Sequence, residues 1–209
     1  MATSNSRDFE LDVAEYVEEA FERCGLQLRT GYDLKTAQRS LNLMLADWAN
    51  RGLNQWTVVQ HTETLVQGQT DYSLPEGAID VLGVAYRTLN NGNTSDIIIQ
   101  PIGRNEYLQI PDKSTQGQPS QYFVDKQISP KIQIWPTSNN NSDSLVFNYL
   151  RRIEDADYGP NTMQVPFRFY PCLAAGLAYY LSIKRAPERT MLLKQSYEEE
   201  LKRAADQDE

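Results

Sequence analysis

The sequence predicts an α+β protein: a helical bundle made by the N- and C-terminal helices, with an antiparallel β lobe inserted between them. Three observations predict it. Apolar residues recur at spacings of three and four near both ends of the chain, and at spacings of two in the middle. The segment PFRFYPCLAAGLAYYLSIKRA at 166–186 is apolar nearly all round, the mark of a helix covered by protein on most sides. Neither terminal helix pair can hide its apolar stripe alone, so the two pairs must pack together. The implied organisation is 1–54 for the N-terminal helices of the bundle, 55–153 for the inserted β lobe, and 154–209 for the C-terminal helices and tail.

The first helix is expected over 9–24, with Leu11, Ala14, Val17, Phe21 and Cys24 on one side and Glu15, Glu18, Glu19 and Glu22 on the other. Gly25 stops it, because glycine takes the left-handed conformation at no steric cost. The second helix opens at Thr30, three residues before Asp33, in a capping-box arrangement, and closes at Gly52. Leu34, Ala37, Leu41, Leu45 and Trp48 form its stripe, and its length is about 30 Å at the helical rise per residue.

From about residue 55 the period is two. WTVVQHTETLV, a short strand in QGQTDYSLP, IDVLGVAYRTL, YFVDKQ, KIQIWP and SLVFNYLRRI are the expected strands. Pro130 and Pro136 fall at strand ends, where a missing N–H does least harm. The Asn- and Ser-rich clusters NNGNTSD at 90–96 and TSNNNSD at 137–143 are expected to be exposed hairpin tips. The stretch GRNEYLQIPDKSTQGQPSQ is expected to give one helical turn and a long loop.

Helical spacing returns at Val165, with Pro166 in the first turn, and Gly176 lets a neighbouring element come close. Pro187 ends or kinks this helix, and the residues after it form a last, exposed helix running into acid. The uninterrupted apolar part, Phe169–Ile183, is shorter than the ~20 residues a bilayer requires, so no membrane partner is expected.

Twenty-eight acidic against twenty basic side chains give a formal net charge of −8, which repels phosphate backbones and argues against a protein that grips DNA or an anionic membrane. Cys24 and Cys172 lie far apart among apolar neighbours and are expected to be free buried thiols. The N-terminus is acidic and has no apolar run, so no signal or transit peptide is expected.

No residue set announces a reaction. His61 is the only histidine, so Ser–His or Cys–His catalysis and multi-histidine metal sites would all depend on one side chain. Phosphate-binding loops, dinucleotide fingerprints and nucleophile elbows are missing from the sequence. Paired carboxylates could in principle serve a glycan hydrolase acting on the host cell wall, which is the alternative function. The most crowded acids, Glu18 with Glu19 and Glu198 to Glu200, fall on polar helix faces, where solvation explains them. The basic residues Arg151, Arg152, Arg168, Lys184, Arg185 and Arg189 form no ladder with aromatics. The expectation is a protein that is not an enzyme and has no cofactor, no metal and no catalytic residue.

Three stretches, TGYDLKTAQRSLNLMLADWANRGLNQWTV at 30–58, GQPSQYFVDKQISPKIQIWPT at 117–137 and VPFRFYPCLAAGLAYYLSIKRAPER at 165–189, together resemble the head-to-tail adaptor of short-tailed bacteriophages, tail tubular protein A. The resemblance spans about residues 10 to 205. It implies a structural virion protein at the portal vertex, made in the host cytoplasm, whose copies form a dodecameric ring. Such a ring joins the portal to the tail nozzle, tail tubular protein B, and continues the DNA channel for genome ejection without sequence-specific binding. Carried onto this chain, the resemblance places portal contacts on Arg189, Met191, Leu192, Lys194, Tyr197 and Leu201 of the last helix. It places nozzle contacts on Asn91, Asn93, Gln118, Asn140 and Asn141.

Overall fold

The computed structural model describes residues 5–6, 8–52, 55–90, 93–157 and 159–206. In chain order its elements are α1 (Val13–Arg23), α2 (Gly31–Asn50), β1 (Val58–Thr64), β2 (Asp71–Ser73), β3 (Ala78–Asn90), β4 (Asn93–Pro101), α3 (Arg104–Gln109), β5 (Gln121–Asp125), β6 (Lys131–Trp135), β7 (Ser144–Arg151), α4 (Tyr170–Arg185) and α5 (Thr190–Ala205). The class is α+β. The chain divides into two compact units, Met1–Trp56 with Ile153–Glu209, and Thr57–Arg152.

The helical unit is organised around α4. Every residue from Cys172 to Ala178 is buried, as are Leu181 and Ser182, because α1, α2 and α5 all pack against this one helix. Gly176 is where they come closest. A Cβ built there would collide with the Met44 sulfur of α2 and lie 2.8 Å from the Tyr197 ring of α5. The Trp48 indole N–H donates to the Tyr197 hydroxyl at 2.8 Å inside this core, and Tyr179 stacks on Tyr197 with centroids 5.9 Å apart. Lys184 donates to Ser40 Oγ at 2.8 Å, and Arg185 pairs with Asp33 at 2.9 Å, tying the C-terminal end of α4 to α2.

Both N-terminal helices start on reciprocal caps. Asp12 accepts from the Glu15 amide at 2.8 Å while Glu15 accepts from the Asp12 amide at 2.9 Å. Thr30 and Asp33 repeat the arrangement at the start of α2. The first helix therefore begins at Val13 and not at residue 9, and Phe9 stays outside it. Its buried side is also turned: Val13, Tyr16, Val17, Ala20 and Phe21 face the core, whereas Leu11 and Ala14 are only half-buried. Tyr16, which was not in the expected stripe, is fully buried.

A second correction concerns the last helix. It is not exposed on all sides, because Leu193, Tyr197, Leu201 and Ala204 recur at helical spacing and are buried in the core of the helical unit.

The other unit is a seven-stranded sheet of order β1-β7-β3-β4-β5-β6-β2. Every pairing is antiparallel except β4 with β5, which run parallel over Gln100–Gln121 and Pro101–Tyr122, since the connection between them passes through α3. The sheet core includes Val84, Tyr86, Ile99, Tyr122, Ile132, Ile134, Leu145 and Phe147. In β6 the buried residues Ile132 and Ile134 alternate as in the sequence, whereas in β7 Leu145, Val146 and Phe147 are buried in succession.

Strand β4 is absent from the expected set. The polar run expected as a hairpin tip is mostly strand: Asn93 to Asp96 continue the ladder with β3, and Asn90 pairs with Asn93. Arg87 clamps Asp96 across the two strands through two hydrogen bonds, at 2.6 and 2.7 Å, which holds a polar segment in β conformation.

Replacing Gly176 by Ala is expected to cost about 1 to 3 kcal/mol, since the methyl must displace Met44 or Tyr197, as measured by denaturant unfolding of the full chain. The Tyr16 hydroxyl is buried and has no hydrogen-bond partner among the described residues, and burial pushes its pKa upward. Tyr16→Phe should accordingly leave stability unchanged or raise it by about 1 kcal/mol, whereas a drop of that size would reveal a partner for the hydroxyl. Burial raises the Cys172 thiol to about 12 and also raises Cys24, so neither should react with a thiol reagent at neutral pH until the chain unfolds.

Candidate functional site

Among the described residues no group of three or more His, Cys, Asp or Glu side chains stands close enough to hold a metal ion, and no helix is long and apolar enough to cross a membrane. His61 sits on β1, with Nε2 3.1 Å from a Glu63 carboxylate oxygen and its ring against Phe147. What the chain does present is surface.

The first surface is the outer side of the α4–α5 corner. A turn at Pro187–Arg189 reverses the chain between the two helices. The Arg189 guanidinium donates to the Arg23 carbonyl at 3.2 Å and packs over Gly25, whose φ of +73° ends α1. Of the six residues expected to meet the portal, Arg189, Met191, Leu192 and Lys194 are exposed, with Met191 and Leu192 79% and 70% accessible. Tyr197 and Leu201, 2% and 8% accessible, belong to the core, where Tyr197 holds Trp48. One helix thus has two apolar faces, a sheltered one and an open one.

The second surface lies on the sheet unit. Asn93 opens β4 and is exposed, and Asn91 lies outside the described residues. Gln118 is exposed beside Ile97, Ile98 and Gln100 of the same strand, where a shallow groove of about 550 Å³ runs along the strand. Asn140 and Asn141 are engaged internally. Asn140 donates to Asp143 at 2.6 Å, and its carbonyl oxygen accepts from the Asp143 and Ser142 amides at 3.0 Å each. Asn141 accepts from the Gln67 amide at 2.7 Å. The segment 137–143 is thus not a free tip, for Thr137, Ser138 and Asp143 are buried and Asp143 accepts a very short bond from the Tyr86 hydroxyl. Burial, and then the Asp143 carboxylate, push that hydroxyl up to about 12.

A third surface was not expected from the sequence. A groove of about 490 Å³ runs between α1 and the N-terminal end of α4. Leu11, Tyr170, Pro171 and Ala174 line it with apolar atoms, and Phe9 and Phe167 stand exposed at its edge. Its other wall is the acidic side of α1, the face that the sequence explains as solvated. The available signal was the pair of aromatics, Phe9 and Phe167, that fall outside both helical stripes.

Residues 10–209 match the family of the SU10 adaptor protein. No curated protein matches the chain. Solved structures that match include the neck of an empty GTA particle computed with C6 symmetry, at 10% identity over 85% of this chain and 84% of that one, with a TM-score of 0.30. That superposition is too loose to bear on fold or partners.

Replacing Asp143 by Ala should destabilise the sheet unit by about 2 to 3 kcal/mol, because the Tyr86 hydroxyl and the Asn140 amide lose a buried charged partner, with thermal unfolding as the measurement. Asn141→Ala, at an exposed position, should have a much smaller effect.

Proposed function

The chain belongs to the SU10 adaptor protein family, and from that premise we propose that copies of it form the ring that joins the portal to the tail nozzle and continues the DNA channel. The family is one of structural phage adaptors. The chain is a structural phage protein and not an enzyme, which removes the glycan hydrolase alternative. In this proposal twelve copies close the ring, and the genome is ejected through its channel.

The observation that carries the reading is the open side of α5. A single chain covers Leu193, Tyr197 and Leu201 but leaves Met191 and Leu192 in water, flanked by the cations Arg189 and Lys194. Adjacent large apolar side chains at the start of a surface helix, ringed by charge, suit a protein contact. In this reading the four exposed residues meet the portal, and Tyr197 and Leu201 support them from beneath by fixing the helix on the core. Asn93 and Gln118, on and beside β4, are the proposed nozzle contacts, and Asn140 and Asn141 shape the neighbouring bend. Repetition around a ring multiplies a modest contact per copy into a stable joint. The net charge of −8 suits a channel through which DNA slides without being held.

The test substitutes both open apolar residues, Met191→Asp with Leu192→Asp, in the full chain. Because neither contributes to the core, unfolding should be unchanged, while co-sedimentation with the cognate portal should weaken at least about tenfold. Undiminished binding would move the portal contact elsewhere.

A further inference from the structure

The acidic groove beside α1 and the outward face of α2 are complementary. We propose that they are the two halves of the contact between neighbouring copies of this chain. The inference rests on the ring reading above and names the surfaces that close the ring.

On α1, Glu18 and Glu22 are exposed four residues apart, and among the described residues neither has an ion-pair or hydrogen-bond partner. Glu15 and Glu19 are occupied, the first in the helix cap and the second by Arg23 at 2.7 Å. Like charges at this spacing repel and weaken a helix alone, so an isolated chain carries the pair at a cost. The groove floor next to them is apolar, and Phe9 and Phe167 are exposed at its edge.

The outward face of α2 mirrors this. Lys35 and Arg39 are also exposed four residues apart, and among the described residues they too have no acidic partner. Tyr32 precedes them and Leu43 follows, at 71% and 57% accessible, on the same side of the helix. All four lie off the stripe that faces the core. The face therefore offers two cations at the spacing of the two anions, between two large apolar side chains that can fill an apolar groove. This is the arrangement of a helix laid in a groove, with charge setting its register.

A second copy is the occupant because both halves are on this chain and match in spacing, sign and apolarity. The halves are different patches, on α1 with α4 and on α2, so the contact is heterologous. A contact of that kind closes into a ring when the rotation between copies permits. It also leaves the open side of α5 free for another partner.

Charge reversal tests it in the full chain. The groove variant Glu18→Lys with Glu22→Lys, and the face variant Lys35→Glu with Arg39→Glu, are compared with native protein by sedimentation velocity over a concentration series. All four positions are exposed, so circular dichroism and unfolding midpoints should match the native chain. Each variant alone should self-associate at least about tenfold more weakly than native. The chain carrying all four reversals should recover association, as should an equimolar mixture of the two variants. Association that is insensitive to the reversals, or no recovery in the fourfold variant, overturns this contact and leaves the ring standing. Native chain that stays monomeric at every concentration overturns both.

Discussion

The structure depends on covering one helix from all sides. Seven consecutive buried residues in α4 leave no face for water, so α1, α2 and α5 must all be present for any to be stable. Most helical stability in proteins comes from such packing and not from propensity, and α4, with its glycine and small alanines, illustrates the point. Gly176 sets how near α2 and α5 approach, and that approach brings the Trp48 indole within reach of the Tyr197 hydroxyl. The distribution of exposed surface follows from it. Once the inner sides of α1, α2 and α5 are committed to α4, their outer sides are what remains for partners.

Much of this was legible in the sequence. Capping boxes are local in sequence, so Thr30 with Asp33 located the start of α2, and the all-round apolarity of α4 announced its central place. What sequence periodicity missed was set by contacts between distant residues. Strand β4 escaped because its first half is polar, and it is held as strand by Arg87 reaching across to Asp96. The 137–143 bend looked like a solvated tip because Asn, Ser and Asp are usually at home in water. Its polarity serves an internal network in which Asp143 satisfies Tyr86 and Asn140, and composition alone does not distinguish the two uses.

The candidate surfaces were legible to a lesser degree. The resemblance drew attention to α5 as a whole, but a helix has more than one side. Burial separates Met191 and Leu192 from Tyr197 and Leu201, which look equivalent as letters in a sequence. The groove beside α1 could not be assembled from the sequence because its apolar lining comes from Leu11 and from Tyr170, Pro171 and Ala174, which lie far apart in the chain. Glutamates on a helix invite a solvated reading, and only the apolar floor beside them argues for more. Tyr32 and Leu43 did carry a signal, for they break the polar side of α2, but weighing it required knowing which side of the helix the core had taken.

The helical unit is built from the first and last portions of the chain, with the sheet unit as one continuous segment between them. This has a consequence for biosynthesis. On the ribosome α1 and α2 emerge long before α4, and at typical elongation rates the intervening hundred or so residues take on the order of ten seconds. During that interval the sheet unit can complete itself, while Met44, Leu45 and Trp48 have no partner to cover them. The early helices are thus the part of the nascent chain most in need of chaperone shelter. A stall or truncation ahead of residue 170 would release a finished sheet joined to sticky, half-formed helices.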